Sequence, residues 1–156
     1  QNMINKFMKR AIELSIKSVN IGTGPFGAVI VKDNQIISEG FNTVTTNHDP
    51  TSHAEIVAIR IACKKLSNFS LEGCDLYTTC EPCPMCLSAI YWARISKIYY
   101  ANTRSDAKKI DFSDAMIYEE LNKTIKDRKI PMNQMMRDEA LKAFDLWDKK
   151  KDKVKY

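Results

Sequence analysis

From Ile4 onward, the apolar residues Phe7, Met8, Ala11, Ile12 and Val19 return at helical spacing, which predicts an amphipathic first helix. Residues 21–25, with Gly22, Gly24 and Pro25, break that pattern. Residues 26–32 and 35–41 then read as short β-rich runs around Asp33-Asn34, the signature of a hairpin. Residues 47–50 read as a loop. A second helix is expected over 52–66, with Ala54, Val57, Ala58, Ile61 and Ala62 as core contacts. A strand over 76–79, a helix over 84–93 and a strand over 97–101 follow, and that order predicts a right-handed parallel crossover. The last third is expected to hold a helix near 115–121, an extended piece near Ile130 and a final helix carrying Ala140, Leu141, Phe144 and Trp147. The fold class that emerges is α/β: three layers, α/β/α, around a central mixed sheet.

Length and composition narrow the classes. A chain of 156 residues fits one domain, and 44% hydrophobic with 28% charged residues is the balance of a folded globular protein. No apolar run approaches the roughly 18 residues that cross a bilayer. Residues 1–10 show no basic-then-apolar leader, so a cytoplasmic location is expected. The formal charge is +5, but Lys149, Lys150, Lys151, Lys153 and Lys155 against Asp152 place +4 of it in the last eight residues. The nearly neutral remainder does not look like a nucleic-acid footprint, and the lysines suit a helix C-terminus.

The chemistry gathers in two segments. Cys80, Cys83 and Cys86 form C-x-x-C-x-x-C, too tight for a disulfide framework and suited to metal or thiol chemistry. His53-Ala54-Glu55 opens one predicted helix and Pro82-Cys83-Pro84-Met85-Cys86 the next. One imidazole and two thiolates suit Zn²⁺ and leave one tetrahedral position for water. Pro84 fits the first helical position, and helix N-termini favour thiolates. Glu55 stands where a carboxylate can move a proton between that water and a substrate. Other readings stay open at this level. Ser52 and Glu55 also fit a capping box. Cys80 can close a structural zinc site as fourth ligand, a CxxC can be a redox pair, and an iron–sulfur cluster lacks its fourth cysteine. His48 reads as a loop residue. The joint pattern, His-x-Glu with Pro-Cys-x-x-Cys some thirty residues on, is more specific than either half.

That pattern is the known signature of zinc-dependent nucleobase deaminases, and the chain resembles this cytidine-deaminase-like superfamily. The resemblance runs through GPFGAVIVKD (24–33), DPTSHAEIVAIR (49–60), LYTTCEPCPMCLSAIYWAR (76–94), FSDAMIY (112–118) and the ending Lys155-Tyr156. Within the superfamily these segments look most like the bacterial guanine deaminases. The resemblance implies hydrolysis of guanine to xanthine and ammonia in purine turnover, with one zinc per chain on His53, Cys83 and Cys86. It implies Glu55 and Asp114 as the catalytic carboxylates and Asn42 as a donor to O6 or N7. It further implies that Phe26 and Trp92 sandwich the base with His53, that Ala54 offers a backbone N–H, and that Tyr156 closes the pocket. The expected assembly is a homodimer with a swapped C-terminal segment. Asn42, Phe26, Trp92, Asp114 and Tyr156 each also fit an ordinary role as turn, core, cap or tail residues. The rival readings are a tRNA-adenosine or cytosine deaminase of the same superfamily, and a non-catalytic structural-zinc module. Neither membrane nor nucleic acid is expected as a partner.

Overall fold

The computed structural model describes residues 3–156; Gln1 and Asn2, which open the stretch read for a leader, lie outside the described residues. Helix α1 spans Met3–Asn20 and buries Phe7, Ala11, Leu14 and Ser18, one stripe at spacings of four and three. Ile12 and Val19, which the periodicity put on the apolar side, are exposed (40% and 52%). They lie more than a quarter-turn off that stripe, and Ser18 takes the last buried place because its hydroxyl finds partners in Thr23 and the Gly24 carbonyl.

Strands β1 (Gly27–Lys32) and β2 (Gln35–Phe41) form the expected antiparallel hairpin. Asp33 and Asn34 both adopt positive φ (50° and 61°), as the two-residue turn that matches strand twist requires. A short helix α2 (Val44–Asn47), not expected from the pattern, precedes α3 (Ala54–Leu66). Then come β3 (Asp75–Cys80), α4 (Pro84–Trp92), β4 (Lys97–Asn102) and the unforeseen α5 (Arg104–Lys109), which opens on a Thr103–Asp106 capping box. The sheet order is β2-β1-β3-β4. β1 runs antiparallel to both its neighbours, and β3 pairs parallel with β4 across α4.

Helices flank both faces of this mixed sheet. Val29, Val31 and Tyr77 meet Phe7 and Leu14 of α1 on one side. Ala28, Ile30 and Leu76 meet Ala54, Ala58 and Ala62 of α3 and Ile90 of α4 on the other. β1 therefore reads as a continuous apolar run, because both of its faces are covered. Ile30 and Leu76, fully buried, each contribute about 1.5–3 kcal/mol. Ile61, expected in this core, is 45% exposed, since the small residues at 54, 58 and 62 set the inward face of α3. Two glycines let the layers close. A Cβ at Gly27 would strike the Ala11 carbonyl oxygen of α1, and one at Gly40 would strike the Ala54 carbonyl oxygen of α3.

The alternating strand directions have a functional consequence. The start of β1, the end of β2 and the end of β3 all lie at one end of the sheet. Phe26, Asn42 and the segment leading to Cys83 therefore emerge together.

Gln1–Asp114 and Ala115–Tyr156 form two compact units. The second holds α6 (Ala115–Asn122), a 3₁₀ turn (Ile125–Asp127) and α7 (Arg137–Lys149). Inside it, Arg128 Nε donates to the Glu120 carbonyl (3.1 Å), and the Lys129 N–H to Glu120 Oε2 (3.2 Å). The extended piece expected near Ile130 forms no strand, and Ile130 is 80% exposed. Among the described residues no helix is long and apolar enough to cross a membrane.

Candidate active site

His53 and Cys83 occupy equivalent places. Each is the extended N-cap of a helix, His53 (φ −69°, ψ 158°) before α3 and Cys83 (φ −66°, ψ 169°) before α4. Pro84 is the first residue of α4, and Cys86 follows on the same opening turn. Two positive helix ends thus converge on two sulfurs and one ring nitrogen.

His53 Nδ1 lies 3.5 Å from both Cys83 Sγ and Cys86 Sγ. Zinc bonds of about 2.05 Å to nitrogen and about 2.3 Å to sulfur, at a tetrahedral angle, put N and S about 3.6 Å apart. The trio is therefore spaced for zinc. Among the described residues His53, Cys83 and Cys86 are the one such group, their ligand atoms all within 4.8 Å of each other. The donor chemistry agrees. The Cys86 thiol donates to Cys83 and, with His53, holds the Cys83 thiol down at about 4, while that bond and burial push Cys86 up. The hydrogen bond to Cys83 raises the His53 pKa. Ligands that are readily held as thiolate and imidazole suit a divalent cation.

Cys80 does not join them. It is buried, its thiol faces the Thr103 carbonyl at 3.8 Å, and burial beside Glu55 and Glu81 pushes it up to about 11. The closed four-ligand site expected of a structural zinc is not assembled. His48 is exposed at the end of α2, as its loop reading required.

Glu55 lies in the first turn of α3, buried and beside both sulfurs but outside the ligand trio. Burial pushes its carboxyl up to about 7, with the nearby Cys83 thiolate adding to the rise. The capping box is not formed. His53, not Ser52, is the N-cap, and the Ser52 hydroxyl donates instead to Asp49 Oδ2 (2.8 Å). Asp49 was missed in the sequence. Its Oδ1 accepts the N–H and hydroxyl of Thr51 (2.9 and 2.7 Å), and Arg60 of α3 reaches its Oδ2 at 3.4 Å. The hydrogen bonds from Thr51 and Ser52 hold the Asp49 carboxyl well below the usual range. This turn delivers His53, and Asp49-Pro50-Thr51-Ser52 carried its turn chemistry openly.

Asn42 is buried just past β2, and its side chain is fixed through Oδ1, which accepts the Val44 N–H at 3.0 Å. The turn role is real, and it leaves Nδ2 as the available donor. The half-buried Phe26 ring meets Phe112 edge-on at 5.1 Å. Ala54 heads α3, where backbone N–H groups lack helical partners. Asp114 pairs with Arg104 (Nε to Oδ1, 3.2 Å), and the Arg104 N–H donates to Glu81 Oε1 (3.2 Å), beside the zinc segment. Arg104 had no motif to mark it. Trp92 ends α4 at 67% exposure, about 12 Å along the helix from Pro84. Tyr156, in the second unit, is 72% exposed.

The family model of the cytidine and deoxycytidylate deaminase zinc-binding region matches residues 1–102. The guanine deaminase of Bacillus subtilis (strain 168) is 52% identical over 151 residues, 96% of this chain and 97% of that protein. An X-ray structure of guanine deaminase from Bacillus subtilis superposes with a TM-score of 0.94 at 51% identity, covering 97% of this chain and 98% of that one. The tRNA-specific adenosine deaminase of Buchnera aphidicola subsp. Schizaphis graminum is 32% identical over 150 residues, 96% of this chain and 97% of that protein.

Proposed function

The chain belongs to the cytidine and deoxycytidylate deaminase zinc-binding family, and on that footing we propose that it hydrolyses guanine to xanthine and ammonia. One observation carries the substrate. Over nearly the same span, identity is 52% to a guanine deaminase and 32% to a tRNA-specific adenosine deaminase. That likeness continues past residue 102, where the family model ends, through the region of Asp114.

His53, Cys83 and Cys86 are the zinc-binding residues. When bound, the metal supplies Lewis acidity and a water that ionises near neutral pH. Glu55 takes a proton from the attacking water and passes it to ring N3, then to the leaving amine. The water oxygen adds to C2, the C2–amine bond breaks, and nitrogen departs as ammonia. Asp114, oriented by Arg104, is the second carboxylate serving that amine. Asn42 Nδ2 donates to the O6/N7 edge, Phe26 and His53 bracket the ring, and the Ala54 N–H faces developing negative charge.

The same reading extends to a cytoplasmic homodimer in which the C-terminal segment crosses to the partner. No residue of the second unit is buried, and Ile130, Met135 and Phe144 are 74–80% exposed, which suits a segment completed by another copy. Trp92 and Tyr156 then belong to surfaces shared between subunits.

The test is ammonia release by zinc-loaded protein with guanine, adenine, cytosine, their nucleosides and an anticodon-loop RNA in parallel. Turnover of guanine alone is the expected result. Turnover of the RNA alone would replace the substrate, and silence on all of them would leave a zinc-binding module. Sedimentation equilibrium of the same sample should give twice the chain mass.

A further inference from the structure

The loop before β1 holds a position that the mechanism above leaves unused. Gly24 lies against both groups assigned to the base. A Cβ built on it would stand 3.4 Å from Asn42 Cγ and Nδ2 and 3.3 Å from Phe26 Cδ2. Its backbone lies outside the left-handed region, so nothing in φ demands glycine here. Packing there is close but not closed, since an added methyl would require the Phe26 ring edge to give by a few tenths of an ångström. Backbone conformation therefore gives no reason for a glycine here, and no backbone atom is among the three nearest that a Cβ would meet.

The loop is also held firmly. The Gly24 carbonyl accepts the Phe26 N–H at 2.8 Å and the buried Ser18 hydroxyl at 2.5 Å. Thr23 returns its own hydroxyl to the Ser18 carbonyl at 2.9 Å. Phe26 in turn accepts the Asn42 N–H at 3.2 Å, which ties this loop to the end of β2. Asn42 Oδ1 is committed to Val44, so its amide cannot turn away from the space beside Gly24 without losing that bond.

We propose that Gly24 is a specificity-determining residue, whose missing side chain leaves open the space beside Asn42 Nδ2 and the Phe26 edge for the O6/N7 side of an oxopurine. This rests on the guanine reading above and adds the residue that gives the base access to its donor. A methyl at 24 would cover the amide and weaken binding of the whole base without touching the carbon that reacts. Interactions of that kind appear in KM and not in kcat.

The experiment is steady-state kinetics on zinc-loaded wild type, Gly24→Ala, Asn42→Ala and the double variant with guanine. Zinc content and melting temperature are measured on each. Gly24→Ala is expected to raise KM about tenfold or more, with kcat within about twofold and with zinc content and melting temperature unchanged. In the Asn42→Ala background the same substitution should cost far less, because the donor it covers is gone. A Gly24→Ala enzyme with wild-type KM, or equal effects in both backgrounds, would overturn the proposal while leaving guanine as substrate. Loss of the cooperative melt would make Gly24 a packing residue and overturn it as well. A wild type inert towards guanine would remove both this assignment and the substrate reading.

Discussion

Glu55, in the first turn of α3, and Cys83, the N-cap of α4, meet in one cluster but carry different proposed roles. Glu55 is buried against the sulfurs without being one of the ligand trio, which supports the proton-transfer role proposed for its carboxyl. Glu55→Gln is therefore expected to keep one zinc per chain while turnover falls by about 10²–10⁴; metal analysis beside an ammonia assay separates the two effects. Wild-type-like turnover would return Glu55 to an ordinary helix-end role. Cys83→Ala removes a ligand from a three-residue set, and both zinc and activity should be lost. A variant still holding stoichiometric zinc would show that the trio is misassigned. At this scale the sequence was legible wherever residue type alone limits the chemistry, as with one imidazole and two thiolates. It was not legible for Arg104 or Gly24, which act through an ion pair across ten residues and an empty space, whereas the turn chemistry of Asp49 was readable and overlooked.

Helices α3 and α4 work as a pair because each begins on a ligand, so the site is only as exact as the seating of their first turns. Gly40 sets that seating for α3, where the helix backbone approaches the strand too closely for a side chain. Gly40→Ala should cost about 1–3 kcal/mol through overpacking and also weaken zinc binding by shifting His53. Gly27→Ala, crowding α1 instead, is the control. It should lower the melting temperature in the same way and leave zinc affinity alone, as α1 carries no ligand. Equal zinc affinities in the two variants would dissociate the ligand geometry from the packing of α3. The elements most readable from sequence were those with an unambiguous period or turn, such as the β1–β2 hairpin and the strand–helix–strand crossover. Short α2 and α5 were missed because four and six residues carry no periodicity. The stripe of α1 was read a little off its true direction because a buried serine, satisfied by hydrogen bonds, took an apolar-looking place.

Across the molecule, stability against acid draws on contacts between separate layers. Arg10 of α1 grips Glu39 of β2 through two bonds, 2.6 and 3.0 Å, and this holds the Glu39 carboxyl below its ordinary value. Its contribution is complete above the unfolded carboxylate pKa of about 4.3 and is lost as pH falls through the lower folded value. Both side chains are more than a third exposed, so the gain is about 0.5–1 kcal/mol. Glu39→Gln should lower the melting temperature slightly at pH 7 and make no difference well below pH 4. A gap that persisted in acid would assign the effect to packing. The first unit yielded its layers to pattern analysis because each is closed against the sheet. In the second unit the two expected helices are present as α6 and α7, while the extended piece expected near Ile130, with no sheet to join, is not. The strand directions that bring Phe26, Asn42 and Cys83 to one end of the sheet also send the Asp33–Asn34 turn to the other. That turn is consequently a neutral splice point. A reporter domain or surface tether inserted there would sit a full strand length from the chemistry, making it the natural handle for building this enzyme into a sensor.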